Sequence, residues 1–162
     1  MTVVTDDRVR VAELLGREPM GEFEVVVRRG DGDPVVLRNA PLLPDGTPMP
    51  TLYWLCDPSL RSAIGTIESD GGVRVAEQEL GLDVIERAHR AYALERERLM
   101  PPGHEGPAPS GGVGGTRAGL KCLHAHYAHW LAGGQDAVGE WTNRQLIERG
   151  LLPDGVPDRV EP

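Results

Sequence analysis

The chain has 162 residues, 40% hydrophobic and 26% charged, which is the composition of one globular domain able to bury a core without disulfide or metal staples. Its formal charge of −8 argues against broad binding to nucleic acid or to an anionic membrane, both of which need a basic footprint. No stretch approaches the roughly 20 apolar residues of a membrane span. The opening residues, Met1 to Arg10, are charged rather than signal-like, so a cytoplasmic location is expected.

In chain order, Asp6 to Gly16 reads as a short helix capped by an acid and ended by glycine. Phe23–Arg28 and Pro34–Arg38 are β-branched runs on either side of Arg29-Gly30-Asp31-Gly32-Asp33, and so predict a β-hairpin. Asn39 to Thr51 holds four prolines and a Pro-Asp-Gly turn, with Leu42, Leu43 and Met49 expected to pack it down. Leu52–Cys56 predicts a third strand. Asp57-Pro58 places an N-cap and a first-turn proline ahead of Leu60, Ala63, Ile64 and Ile67 at helical spacing, with Asp70-Gly71-Gly72 as the stop.

Leu82 to Met100 predicts a long helix. Its inner stripe is Leu82, Ile85, His89, Tyr92 and Leu99, interrupted by Arg96; its outer face carries Glu86, Arg87, Arg90, Glu95, Glu97 and Arg98. A long loop, Pro101 to Gly115, leads to a helix predicted over Thr116 to Ala132, with a short terminal helix at Trp141–Arg149. The expected architecture is α+β, a small antiparallel hairpin or sheet in the N-terminal half packed against three or four helices, forming one domain over 1–150 with a tail at 151–162.

The densest chemistry is Lys121-Cys122-Leu123-His124-Ala125-His126-Tyr127-Ala128-His129, one thiol and three of the five histidines within a few turns. On a continuous helix Cys122, His126 and His129 share one arc and His124 faces away with Leu123 and Tyr127. A thiolate and two imidazoles suit zinc, with Cys56 or His104 as a fourth ligand, although neither a CxxC pair nor HExxH is present. Cysteine catalysis by Cys122 activated by a histidine is a second reading, with His126 one turn away and within reach and His124 and His129 also candidates. The competing structural reading is a buried thiol with histidines that hydrogen-bond or face solvent. Just upstream, Gly111-Gly112-Val113-Gly114-Gly115-Thr116-Arg117 suggests an anion cradle of Gly114, Gly115, Arg117 and Lys121 at a helix start, against a plain hinge with Thr116 as cap. It is not a Walker A loop.

The segments Leu14-Leu15-Gly16-Arg17-Glu18-Pro19 and Pro44-Asp45-Gly46-Thr47-Pro48-Met49-Pro50-Thr51-Leu52-Tyr53-Trp54-Leu55, the helix with His89 and Tyr92, and Lys121-Cys122-Leu123-His124 with His129 resemble the DUF501 family, an actinobacterial domain of unknown function. The resemblance spans roughly residues 10 to 135; His126 stands outside the matched positions. It implies no activity. It does imply a link to cell division or polyphosphate metabolism, and hence a protein partner there. The expectation is therefore an accessory or ligand-binding protein taking a partner or a small anion. The rival is a metal-dependent or cysteine-based enzyme acting on a phosphorylated or otherwise anionic small molecule.

Overall fold

A computed structural model describes residues 6–162; Met1–Thr5, the first half of the charged N-terminal stretch, lie outside the described residues. The fold is α+β: among the described residues, a three-stranded antiparallel sheet in the N-terminal half and six α-helices. Helix α1 spans Asp7–Leu15, capped by the Asp6 carboxylate on the Arg8 amide at 3.0 Å. Strands β1 (Phe23–Arg28), β2 (Pro34–Asn39) and β3 (Tyr53–Leu55) follow in sheet order, with Phe23 opposite Asn39 and Val36 opposite Leu55. The hairpin lies where its turn residues predict it, with a register shift between Val25 and Val27. Pro34 opens β2, where a missing amide costs least.

Side-chain alternation sorts β3 onto two faces. Tyr53 and Leu55 join the main core, while Trp54 packs with Val11, Leu37 and Cys56 beneath α1. The sheet is thus the middle layer, with α1 on one side and the other helices on the second. The proline-rich segment is packed down as expected through Met49, which is buried.

Helix α2 (Pro58–Ser69) begins as its cap chemistry predicts: Asp57 accepts from the Leu60 amide at 3.0 Å, and Leu60, Ala63, Ile64 and Ile67 are buried. A nine-residue helix, α3 (Gly72–Leu80), then occupies a stretch that sequence reading left between two helices. Helix α4 (Leu82–Arg98) buries Ile85, Ala88, His89, Tyr92 and Arg96. Two members of the expected stripe need correcting, since Leu82 is 65% and Leu99 39% exposed, whereas Arg96 interrupts the buried face as expected. Arg96 is tolerated there because its guanidinium donates to the Pro50 and Gly111 carbonyls, each at 2.7 Å. Glu95, expected outside, turns inward.

The last two helices are α5 (Leu123–Leu131) and α6 (Ala137–Glu148). Helix α5 starts seven residues later than predicted. Thr116 has extended backbone and closes a short 3-10 turn at Val113–Gly115 instead of opening a helix, and Gly119 takes φ +66°. The segment read as a tail is tied down: Val160 donates its amide to the Leu131 carbonyl at 2.9 Å, and Arg159 bonds the Trp130, Gly133 and Gly134 carbonyls. No helix among the described residues is long and apolar enough to cross a membrane.

Candidate active-site cleft at the start of helix α5

Cys122 is the residue immediately before α5, with extended backbone at φ −151° and ψ 164°. The helical arc that would join it to His126 and His129 therefore does not extend to it. The structure instead divides the cluster into two assemblies.

The first assembly is Glu68, Cys122 and His124, whose ligand-type atoms all lie within 4.8 Å of one another. Glu68 reaches from the end of α2 and uses both oxygens: Oε1 accepts from His124 Nδ1 at 2.9 Å and Oε2 accepts the Leu123 amide at 2.7 Å. The second ring nitrogen of His124 donates to the Arg61 carbonyl at 3.0 Å. With both nitrogens donating, the ring is an imidazolium. Burial opposes that charge, but the neighbouring Cys122 sulfur, the Glu68 carboxylate and the Arg61 carbonyl override it and raise the His124 pKa to about 10. For the Cys122 thiol burial pushes upward, yet the His124 imidazolium and the Ala125 amide bring it below the ordinary value. Its place at the N-terminus of α5 acts in the same direction.

Cys122 and His124, with Glu68 behind them, open on a cleft of about 370 Å³, walled by Leu15, Trp54, Leu55 and Ala125 and carrying Arg17, Arg61 and Lys121. Lys121 is the chain's single lysine. None of the three cations forms an ion pair with a described carboxylate. Arg17 lies over the Trp54 ring, 5.2 Å from its centroid, which fixes it at the rim. Of the anion candidates, Gly114 and Lys121 line this cleft, whereas Gly115 and Arg117 are exposed away from it. The amides of the glycine loop are mostly spent internally. Gly112 donates to the Thr116 carbonyl, Gly115 to Gly112, Thr116 to Val113, and Val113 to His89 Nδ1. The loop's role is to seat His89, whose ring leaves no room for a Cβ on Gly112.

The second assembly is buried and centres on Asp136, the N-cap of α6, which sequence reading did not single out. His126 and His129, one turn apart, both direct Nδ1 at its carboxylate, at 2.8 and 2.9 Å. The same carboxylate takes the Val138 and Gly139 amides at 3.0 and 3.1 Å. His129 Nε2 lies 3.5 Å from Glu95. Burial lowers the His129 pKa, but Asp136 and Glu95 more than compensate and lift it to about 9. Asp136 is pushed up by burial and pulled down more strongly by His126 and His129, to about 2. His126 Nε2, His129 Nε2 and Glu95 Oε2 are buried without a hydrogen-bond partner. The signal for this network was present as Asp136 preceding Ala-Val-Gly, a cap pattern placed beyond two glycines.

Cys122, His126 and His129, the zinc set expected from a continuous helix, are thus distributed over two assemblies. Cys56 is buried beneath α1, its thiol driven by burial up to about 12, and His104 bonds its own loop at the Pro107 carbonyl. The Glu68, Cys122 and His124 cluster offers ligand types that suit a transition metal. A metal there would require His124 to surrender one of its two donated protons and the hydrogen bond that goes with it.

Neither the curated proteins nor the solved structures contain a match to the chain. Residues 25–144 match the model of the family described as Protein of unknown function (DUF501), a span that contains Glu68, Cys122, His124 and the Asp136 network, and the chain belongs to that family.

Proposed function

We propose that the protein binds a small anionic molecule, bearing carboxylate or phosphate, in the cleft beside Cys122. The observation that carries this reading is the convergence of Arg17, Arg61 and Lys121, none of them ion-paired among the described residues, on one concave site of a chain whose net charge is −8. Three exposed cations gathered on one concave site attract a ligand of opposite charge more strongly than any of them alone, through a field that salt screens. The His124 imidazolium adds to the same field. Trp54 and Leu15 supply the apolar wall typical of small-molecule sites. The link to cell division or polyphosphate metabolism that the family resemblance implies belongs to this proposal, since phosphorylated ligands have the required charge.

The test is calorimetric titration of the full chain with pyrophosphate and with succinate, at low and high salt, beside Arg61→Met and Lys121→Met. Binding that weakens with salt, and by about tenfold or more in each variant as expected for a lost charge-assisted hydrogen bond, supports the assignment. Absence of binding by either anion at millimolar concentration, or unchanged binding in both variants, overturns it.

A further inference from the structure

Three groups that serve nucleophilic catalysis meet at the floor of this cleft, and nothing in the fold alone requires all three. Glu68 would cap α5 equally well without His124, and a cap at position 122 needs no sulfur. Yet the carboxylate orients an imidazole, the imidazole lies against a thiol, and the thiol sits at a helix N-terminus facing a cationic cleft. These are the residue types of a catalytic triad in a different arrangement: Glu68 takes Nδ1 of His124 and the Arg61 carbonyl takes Nε2, so the ring stands beside the sulfur and must release the Arg61 carbonyl to exchange a proton in the cleft.

We infer that Cys122 is a nucleophile that forms a thioester with an anionic acyl compound, with His124 as its acid–base partner and Glu68 as the residue that positions His124. The inference rests on the anion-binding reading and adds a reaction to it. Two features favour an acyl carbon over a phosphoryl group. The first amide of α5, Leu123, is already bound to Glu68, and the amides of Gly112, Val113, Gly115 and Thr116 are bound as well, which leaves fewer backbone donors for the three equatorial oxygens of a transferring phosphoryl. An acyl transfer needs only one developing oxyanion to be met, and Lys121 and Arg61 line the same cleft as the sulfur.

In the first step Sγ attacks the carbonyl carbon; the S–C bond forms as the carbonyl π pair moves to oxygen. Collapse of the tetrahedral adduct breaks the bond to the leaving group, which departs with that electron pair and takes a proton from the His124 ring. Water then adds to the thioester carbon. The C–S bond breaks, the electron pair returns to sulfur, one water proton returns to His124, and the carboxylic acid product is released. The net reaction is hydrolysis, with water as the co-reactant.

The experiment uses the full chain and two probes. Iodoacetate and iodoacetamide alkylation, followed by peptide mass spectrometry, measures the reactivity of Cys122 against Cys56. Mono-(4-nitrophenyl) succinate, beside neutral 4-nitrophenyl acetate, tests for a burst of nitrophenolate and a succinyl mass on Cys122. The expected result is that Cys122 prefers iodoacetate over iodoacetamide by about tenfold relative to free thiol, the low end of electrostatic focusing in a charged cleft. The anionic ester should give a burst near one equivalent, with the adduct on Cys122. Cys122→Ser abolishes the adduct while keeping the fold, because serine is a favoured N-cap. His124→Gln and Glu68→Gln slow adduct formation, and Arg61→Met lowers the preference for the anionic probe. If succinate binds but Cys122 reacts no faster than Cys56, or the ester acylates no cysteine, the inference is overturned and the binding reading stands. Stoichiometric zinc in the purified protein, with alkylation only after chelation, also overturns it.

Discussion

The Nδ1 atom of His129 lies 2.9 Å from Oδ2 of Asp136, and both side chains are fully shielded from solvent. Removing one partner of such a pair leaves the other charged or polar group buried and unpaired. Asp136→Ala would strand His126 and His129 together and would uncap α6. The expected loss is about 3–5 kcal/mol, the usual cost of breaking a buried pair on one side. Asp136→Asn retains an oxygen for the α6 amides and should lose less. Urea unfolding of both variants checks the order; equal and small losses would contradict it.

The same pair sets the pH dependence of stability. His129 is lifted from 6.5 to about 9, so its contribution is complete below about 6.5 and disappears as pH rises through about 9. Asp136 is lowered from 3.8 to about 2, so its contribution is complete above 3.8 and is lost as pH falls toward 2. His124, raised to about 10, adds a further loss on the alkaline side. Stability attributable to these groups should therefore be flat between about 4 and 6.5 and fall on both sides. Denaturation midpoints measured on both sides of that range test it, and in Asp136→Ala the alkaline slope should flatten.

Much of this was legible locally. The Asp57-Pro58 start of α2 and the glycine-rich hairpin turn depend on chemistry carried within a few residues, and the structure has both where the sequence places them. What could not be read depends on distant contacts. Gly71-Gly72 looks like a helix stop, and it is one, but Gly72 also opens α3 because a Cβ there would lie 2.6 Å from the Ile67 carbonyl oxygen. The delayed start of α5 follows from Glu77, whose carboxylate takes the Leu120 amide at 2.8 Å from another helix. The cleft itself joins α1, β3, α2 and α5, so the partnership of Cys122 with Glu68 had no local signature.

Glycines 65 and 134 separate conformational from packing effects. Gly65 lies within α2 with open space where a Cβ would stand, so Gly65→Ala should stabilise the protein by about 0.5–1 kcal/mol through helix propensity. A Cβ on Gly134 would run into the His129 imidazole and would force it off Asp136. Gly134→Ala should therefore destabilise by more than 1 kcal/mol, in the range of an overpacked core site. Thermal melts of the two variants should move in opposite directions.

Arg96 offers the last check, because it joins the two segments whose lack of regular structure made them hardest to read. One guanidinium nitrogen holds the Pro50 carbonyl and the other holds Gly111, so the proline-rich segment and the glycine loop share one clamp on α4. The glycine loop in turn carries Val113 onto His89 and Gly114 to the cleft wall. Lysine keeps the charge but cannot span both carbonyls with a planar fork, so Arg96→Lys should lose about 1–3 kcal/mol as one buried carbonyl goes unpaired. Hydrogen exchange should then quicken at Gly112, Val113, Gly115 and Thr116, whose amides are held within or against that loop, and should not change at the α2 amides. Anion binding should weaken in the same variant, since Gly114 lines the cleft beside Lys121. Unaltered exchange at all four amides would mean that the loop holds its shape without α4.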